Sequence, residues 1–370
     1  MGIRDVVDCV LIETVSDAYE LKAAVLAAKT AGLPVLATVT VDERGNLLTG
    51  ANMETVAALL EGLRVDALGL NCGFGAEALL PYLRALRAHC SLPLMVNPNA
   101  GLPHHVDGKT VFDETPEAFA EAAAKAVEAG ACILGGCCGT TPAHIQAMTK
   151  RVAGMQVRPI AEVHDTVITS GSRAVTIDGK APVLIGERIN PTGKPAMKRA
   201  LQSGSVDYML REAVKQQEAG AQVLDVNAGL PGIDEAAALL QLVQEIQAVS
   251  DLPLQLDTAN PNALEGAMRR YNGKPMINSV NGKQESMDAV FPLVAKYGGV
   301  VVALTLDEAG IPPTAQGRVD VARKIMEEAA RYGISKRDIV IDPLTMAVSA
   351  EPDAAMVVLE ENDDKTAAYH

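Results

Sequence analysis

Short apolar runs alternate with longer amphipathic segments along most of the chain. In the first 150 residues, the apolar runs that predict strands are Cys9–Ile12, Val35–Val39, Ala67–Leu70, Leu94–Val96 and Ala131–Leu134. The amphipathic segments that predict helices between them are Tyr19–Ala31, Met53–Gly62, Glu77–His89 and Pro116–Ala129. Strands that alternate with helices indicate βα units on a parallel sheet, where chemistry sits at the carboxyl ends of the strands.

This alternation stops near residue 150 and resumes from Pro182. In between, Val167–Ser170 and Ala174–Ile177 predict a hairpin. The later runs that predict strands are Val183–Ile185, Gln222–Leu224, Leu254–Leu256, Met276–Ile277, Val300–Leu304 and Ile339–Ile341. The predicted organisation is an α/β domain over 1–150, a linker over 151–181, an α/β domain over 182–360 and a polar tail over 361–370.

Composition excludes several classes of function. The chain has 370 residues, of which 48% are hydrophobic and 21% charged, as in ordinary soluble domains. A net charge of −14, with 3% aromatic residues and no Trp, argues against a nucleic-acid surface, which needs basic patches and stacking rings. No apolar run approaches the ~20 residues of a membrane span, and the N-terminus lacks a signal-peptide core. We therefore predict a cytoplasmic protein without a membrane partner.

Cysteines mark the carboxyl ends of two predicted strands. Cys72 follows an apolar run and precedes a glycine, and Cys137 and Cys138 lie between Gly135-Gly136 and Gly139. Zinc prefers four tetrahedral ligands, and a catalytic zinc keeps one position open. We predict that Cys72, Cys137 and Cys138 bind zinc, with a substrate thiol as the fourth ligand. A disulfide between the neighbours and a set of inert buried thiols are the alternatives.

The remaining cysteines and histidines give weaker signals. Three cysteines lack the strand-end glycine, and we predict structural roles for them: Cys9, Cys90 and Cys132. His104 and His105 lie in a predicted loop, where exposed histidines are commoner than metal ligands. His144 begins a predicted helix behind the cysteines and is a candidate to support the metal ligands.

Carboxylates and amides follow nearly every predicted strand. The candidate substrate-binding residues are Glu13, Asn71, Glu187, Asn190, Asp225, Asn227, Asp257, Asn278 and Asp342. A mouth lined with donors and acceptors fits a pterin-like heterocycle, whose edge alternates the two. For any single Asp or Asn the alternative is a helix N-cap, worth about 1 kcal/mol. Recurrence at successive strands favours the ligand interpretation for Asp257, Asn278 and Asp342 together.

Five motifs, in this order, resemble the N-terminal half of the cobalamin-dependent methionine synthase family. They are Leu11–Asp17, Asn71–Gly73, Gly135–Pro142, Ile185–Lys194 and Asp225–Gly229. The resemblance implies two tandem (β/α)8 TIM-barrel-type domains, one binding homocysteine and one binding methyltetrahydrofolate. It implies that the three cysteines named above bind Zn²⁺ and that Glu13 holds the amino acid end of homocysteine. It also implies that Asp257, Asn278 and Asp342 contact the pterin ring.

The implied reaction is methyl transfer from 5-methyltetrahydrofolate, through a cobalamin carrier, to zinc-activated homocysteine, giving methionine and tetrahydrofolate. Methylcobalamin would be carried on a cobalamin-binding domain or protein outside this chain. A barrel needs eight strands, whereas we predict about five strands before the linker and about six after it. We therefore expect both barrels to be incomplete and the chain to be truncated at both ends. We also expect the chain alone to have poor activity. The alternatives are a zinc thiol methyltransferase with another donor, an enzyme of the dihydropteroate synthase kind, and a non-catalytic binding fragment.

Overall fold

The chain divides into two compact units in a computed structural model that describes residues 6–345 and 355–360. One unit runs to His164 and includes Gly171–Ala174; the other comprises Asp165–Ser170 and the chain from Val175 onward. The predicted polar tail at 361–370 lies outside the described residues. Within these described ranges, no helix combines the length and the apolar character that crossing a membrane requires.

The first unit is built on a sheet of five parallel strands. In spatial order they are β1 (Val10–Val15), β2 (Val35–Val39), β3 (Ala67–Gly75), β4 (Leu94–Asn99) and β7 (Ala131–Leu134). A separate antiparallel hairpin contains β5 (His104–Val106) and β6 (Lys109–Val111). The helices of this unit are α1 (Ala18–Lys29), α2 (Met53–Gly62), α3 (Ala76–Ala88), α4 (Pro116–Glu128) and α5 (Pro142–Val152).

Local sequence explains these elements. Thr115 caps α4 by accepting a hydrogen bond from the backbone N–H of Ala118, and Pro116 occupies the first turn, where its missing N–H costs nothing. In the sheet, Gly69 pairs with Met95 of β4, and a Cβ on Gly69 would collide with the Met95 carbonyl. Glycine at this position therefore lets β3 approach β4 closely enough to complete the ladder.

The second unit contains six parallel strands that also follow each other in chain order. They are β10 (Ile185–Ile189), β11 (Val223–Val226), β12 (Leu254–Asp257), β13 (Met276–Asn281), β14 (Val300–Leu304) and β15 (Ile339–Asp342). The hairpin strands that precede them are β8 (Thr166–Thr169) and β9 (Ala174–Ile177). The helices are α6 (Pro195–Ser203), α7 (Asp207–Glu218), α8 (Glu235–Val249), α9 (Pro261–Arg270), α10 (Gln284–Tyr297) and α11 (Ala315–Arg331).

The predicted α/β class and the parallel order of the strands are confirmed. Neighbouring strands are also consecutive βα units, which is the order found in (β/α)8 barrels rather than in doubly wound sheets. Among the described residues, β1 and β7 are the edges of the first sheet, and β10 and β15 are the edges of the second. Each sheet therefore has the open form expected for an incomplete barrel.

The predicted hairpin is present and packs onto the second sheet. Ile168 of β8 is fully buried and shares a core with Val223, Met276 and Val300. These three residues are the first residues of β11, β13 and β14. Thr169 joins this core by donating its backbone N–H to the Lys274 carbonyl at 2.8 Å. The hairpin therefore covers the amino-terminal end of the second sheet, opposite the end predicted to carry the chemistry.

The predicted strands were too short at their carboxyl ends. β1 runs on through Glu13, β3 through Asn71 and Cys72, and β13 through Asn278. The apolar runs stop earlier, because the last residues of these strands keep backbone pairing while their side chains turn polar. The loop prediction for His104 and His105 was also wrong, since both residues lie in β5. A short exposed hairpin strand has no apolar alternation that would reveal it.

A buried ion pair should contribute strongly to the stability of the second unit. Lys274 and Asp338 lie 2.6 Å apart, with side chains 3% and 15% exposed. We expect Asp338→Ala to lower the free energy of unfolding by about 3 kcal/mol, because it leaves a buried ammonium without its partner. The control is Asp320→Ala, which removes an exposed pair with Arg323 and should cost less than about 1 kcal/mol. Urea denaturation measures both; equal effects would contradict the assignment.

Candidate functional site

Three cysteine sulfurs converge at the carboxyl end of the first sheet. The Sγ of Cys138 lies 3.9 Å from the Sγ of Cys72 and 3.9 Å from the Sγ of Cys137, and all three lie within 4.8 Å of one another. Tetrahedral zinc with bonds of ~2.3 Å separates its sulfur ligands by about 3.8 Å. The predicted convergence is thus observed, and the donor set fits a thiophilic cation with a coordination position left over.

Cys72 reaches this position through an irregular strand end. The pairing of β3 with β4 shifts register between Asn71 and Gly75, which marks a bulge. Cys72 has φ 60° and Gly73 has φ 73°, so two successive residues adopt the left-handed conformation. For a non-glycine residue this costs roughly 1–2 kcal/mol, a strain that the surrounding contacts must sustain.

Cys137 and Cys138 are held by the end of β4. The backbone N–H of Cys137 donates to the Pro98 carbonyl at 2.8 Å, and that of Cys138 donates to Asn99 Oδ1 at 3.1 Å. The hydroxyl of Thr140 donates to the Cys137 carbonyl at 2.8 Å and closes the turn. The two thiols therefore stand on a turn whose backbone groups are already satisfied.

Glycines around the cysteines allow close packing. A Cβ on Gly135 would collide with the side-chain amide of Asn97, which is buried and whose Oδ1 has no hydrogen-bond partner in the part of the chain that the structure describes. Gly139 has φ 79°, and a Cβ there would collide with the Phe112 ring. The glycine-cysteine pattern that predicted the site from sequence thus reflects steric need on both sides of the thiols.

All six cysteines are free thiols, so the disulfide alternative finds no support. Partial burial, followed by the neighbouring thiols of Cys72 and Cys137, raises the pKa of Cys138 to about 11. Without a cation, the Cys138 thiol therefore resists ionisation at neutral pH, whereas a bound metal favours its thiolate. Of the predicted structural cysteines, Cys90 is buried, but Cys9 is exposed on the chain just before β1.

The histidines do not join the sulfur cluster. In the described ranges, the metal-ligand grouping contains the three cysteines alone. His144 is buried, with Nδ1 2.8 Å from Thr141 Oγ1 and Nε2 2.9 Å from the Glu114 carbonyl. Because the Thr141 N–H also donates to Nδ1, Nε2 carries the hydrogen that reaches Glu114. His144 therefore supports the segment that follows the cysteines by joining α5 to the chain before α4.

A second cluster occupies the carboxyl end of the second sheet. Asn227 Nδ2 donates to Asp257 Oδ2 at 2.8 Å, and the side chain of Asn278 hydrogen-bonds that of Asp225. Glu187 acts electrostatically on both aspartates. The sheet thus joins five of the predicted residues into one network of carboxylates and amides.

Burial, opposed by a hydrogen bond from Gln255 and assisted by the charge of Asp257, raises the pKa of Asp225 to about 6. Burial also raises the pKa of Asp257, with contributions from Glu187 and Glu235. A carboxyl group that titrates near neutrality can donate as well as accept, and such groups concentrate at functional sites. Oδ2 of Asp225 is buried and has no hydrogen-bond partner among the described residues, which leaves one acceptor of this carboxyl group unused.

Two predicted residues of this mouth make local bonds instead. Asn190 Oδ1 accepts from the Thr192 N–H at 2.9 Å, and Asp342 Oδ1 accepts from the Leu344 N–H at 2.7 Å. Both bonds are turn contacts of the kind that the helix-cap alternative anticipates. Among the described contacts, none ties either side chain to the network around Asp225. Glu13 is exposed at the end of β1.

Sequence analysis missed several supporting residues. Gln255 donates to Asp225 and is buried, and Thr38 donates its hydroxyl to Asn71 at 2.8 Å. Period-two alternation identifies Gln255, because it lies on the same face of β12 as Asp257. Thr38 has no comparable signal, since a threonine in an apolar run fits an ordinary buried strand.

Comparison with known proteins assigns a family to each part of the chain. Residues 1–152 match the model of the homocysteine S-methyltransferase family, and residues 186–364 match that of the pterin binding enzymes. The chain is 35% identical over 357 residues to methionine synthase of Mycobacterium tuberculosis, a match that includes 92% of the chain and 30% of that protein. The family resemblance inferred from the motifs is thereby confirmed, for a chain that spans about 30% of the length of this relative.

Two solved structures match one part of the chain each. The homocysteine methyltransferase MmuM from Escherichia coli, in its oxidized form, is 31% identical, with 40% of this chain and 46% of that chain covered and a TM-score of 0.33. The 7,8-dihydropteroate synthase from Vibrio fischeri is 18% identical, with 49% and 67% covered and a TM-score of 0.38.

The raised pKa of Asp225 predicts a specific dependence of stability on pH. The native state holds this proton up to about pH 6 and the unfolded state only to about pH 4, so the contribution of Asp225 to stability falls as pH rises through that window. The free energy of unfolding of Asp225→Asn should therefore rise, relative to that of the wild type, by up to roughly 2–3 kcal/mol as the pH increases from 4 to 7. Urea denaturation at several pH values measures this; a constant difference between the two proteins would contradict it.

A methyl group at Gly136 should disturb the cysteine turn. Its Cβ would lie 2.5 Å from Cγ2 of Thr140, the residue that holds the Cys137 carbonyl. We expect Gly136→Ala to lower the free energy of unfolding by about 1–3 kcal/mol. It should also change the reactivity of the Cys137 and Cys138 thiols. Gly266→Ala in α9 is the control: its Cβ meets no atom within 4 Å, so it should stabilise by about 0.5–1 kcal/mol. Thermal unfolding and thiol titration distinguish the two.

Proposed function

We propose that this chain, which joins a homocysteine S-methyltransferase segment to a pterin-binding segment, is the homocysteine-activating and folate-binding part of a methionine synthase. The observation that carries the proposal is the convergence of Cys72, Cys137 and Cys138, because three sulfurs at this spacing match a zinc site with an open position. A zinc ion bound there would hold the thiol of homocysteine as a thiolate, the nucleophilic form.

The first unit supplies the remaining contacts for homocysteine. Glu13 lies at the carboxyl end of β1, which is the same end of the sheet that carries the cysteines. Its carboxylate can pair with the ammonium group of an amino acid whose sulfur reaches the cysteine cluster. A carboxylate and a sulfur cluster at the same end of the sheet suit a thiol amino acid better than a simple thiol.

The second unit would bind 5-methyltetrahydrofolate at the cluster around Asp225. The amides of Asn227 and Asn278 and the carboxylates of Asp225 and Asp257 offer donors and acceptors to the edge of a pterin. The methyl group leaves the pterin N5 more readily when that nitrogen gains a proton. With a pKa near 6, Asp225 holds a proton close to neutrality and can supply a hydrogen bond to the ring.

Glu187, Asn190 and Asp342 complete the proposed pterin site. They lie on or directly after β10 and β15, the two edge strands of the second sheet. Glu187 is exposed, and Asn190 and Asp342 are partly buried, so each keeps a side-chain surface that a ligand can contact. The local turn bond of Asn190 uses its amide oxygen, and that of Asp342 uses one of its two carboxylate oxygens. We assign them to ligand contact at the rim of the mouth.

Methyl transfer between two substrates then requires a carrier. The methyl group would pass from N5 of the folate to cobalamin on another domain or protein, and from there to the homocysteine sulfur. We propose that residues 1–150 and 182–360 are the two substrate domains, joined by 151–181. The free thiols suit a reducing compartment such as the cytoplasm.

Metal analysis of cysteine variants tests the zinc site. Wild-type protein should carry one zinc per chain, and Cys137→Ala should lose it together with homocysteine binding, because two sulfurs hold the ion far less tightly than three. Cys132→Ala is the matched control, since Cys132 lies on β7, the strand that precedes the turn of Cys137, with its thiol directed to the Gly130 carbonyl. Full zinc occupancy in Cys137→Ala would refute the assignment.

The donor half is tested separately. Titration calorimetry with 5-methyltetrahydrofolate should show binding that Asp257→Ala weakens, and incubation of the zinc-loaded chain with methylcobalamin and homocysteine should form methionine. Folate binding without methionine formation would indicate that the chain is a binding module.

A further inference from the structure

Asn71 occupies the centre of the first site without facing solvent. It lies in β3 directly before Cys72, and its side chain is fully buried. Its Oδ1 accepts from the backbone N–H of Thr14 at 2.8 Å and from the hydroxyl of Thr38 at 2.8 Å. Its Nδ2 donates to Thr14 Oγ1 at 2.6 Å and approaches the Sγ of Cys137 at 3.9 Å.

The orientation of this amide is fixed by its partners. The N–H of Thr14 can only donate, so the atom that it meets must be the amide oxygen. The amide nitrogen then faces both the Thr14 hydroxyl and the Cys137 sulfur. An amide offers two hydrogens and two lone pairs, and all four are engaged here.

The same amide spans the sheet. Thr14 belongs to β1, Thr38 to β2 and Asn71 to β3, while Cys137 lies on the turn after β7. Thr14 has φ 61°, a left-handed conformation that is unusual for a β-branched residue and costs of order 1–3 kcal/mol. Two hydrogen bonds, one donated by Thr14 to Asn71 and one donated by Asn71 to Thr14, hold Thr14 in that conformation, and Thr14 directly follows Glu13 in β1.

We propose that Asn71 is a positioning residue that fixes the Cys137 sulfur relative to the end of β1, rather than a residue that binds substrate. This inference rests on the proposed zinc function. With its hydrogen-bonding capacity used and its surface buried, Asn71 has nothing left for a ligand. Its N–H restrains the Cys137 side chain near the other two sulfurs, and its bonds to Thr14 tie the carboxylate side of the site to the thiol side.

The test replaces the donor while keeping the shape. Asn71→Asp retains an acceptor for Thr14 and Thr38 but removes the N–H and places an acidic oxygen opposite Cys137. We expect at least a tenfold loss of zinc affinity, measured by competition with a chromophoric chelator. The sulfur-to-cobalt absorption band of the Co²⁺-substituted protein should shift as well. The matched control is Thr38→Val, which removes a bond to Asn71 but leaves its N–H, and should stay within threefold of wild type.

A measurement without metal keeps the two proposals separable. In metal-free protein, iodoacetamide alkylation resolved by tandem mass spectrometry should show Cys137 changing at least threefold in Asn71→Asp while Cys132 stays unchanged. Thr14→Val, which removes one restraint without touching Asn71, should shift Cys137 in the same direction by less and serves if Asn71→Asp fails to fold. Unchanged Cys137 rates in the folded variants would overturn the role of Asn71. Absence of zinc in the wild type would instead refute the proposed function.

Discussion

The close pairing of β3 with β4 is the constraint on which the sulfur site depends. Gly69 lets the two backbones meet, and beyond it β3 departs from regular pairing at Asn71. That departure directs Cys72 toward a turn that hangs on the end of β4 through Pro98 and Asn99. Cys72 lies far along the chain from the adjacent Cys137 and Cys138, so the convergence of the three sulfurs is a property of the sheet and not of any one motif.

The two sheets present different chemistry on similar frameworks. The first gathers soft sulfur donors and holds them through glycines, backbone bonds and one buried amide. The second gathers carboxylates whose burial and mutual charge raise their pKa values, that of Asp225 to about 6. Both use the carboxyl ends of parallel strands, where side chains of successive strands face one volume. The two units therefore offer different ligand atoms, sulfur in the first and carboxylate and amide atoms in the second.

Much of the fold and of the cysteine site could be predicted from the sequence, because the strongest signals for them are local. A glycine beside a cysteine at the end of an apolar run marked Cys72 and Cys138. A left-handed backbone explains both glycines, and at Gly139 a clash with Phe112 adds to it. Strand ends were predicted less well, since an apolar run stops before backbone pairing does, as at Asn278. The partners of Asn71 could not be predicted, because bonds to Thr14 and Thr38 join residues far apart in the chain.

The exposed hairpin of β5 and β6 in the first unit is followed by a residue that packs against the turn carrying two of the thiols. Phe112 is the first residue after β6, and its ring packs against Gly139. Gly139 directly follows Cys138 in the chain. A change in the position of the hairpin therefore reaches the turn of Cys137 and Cys138 through the contact between Phe112 and Gly139. The arrangement couples an external surface of the first unit to the segment that presents two of the three thiols.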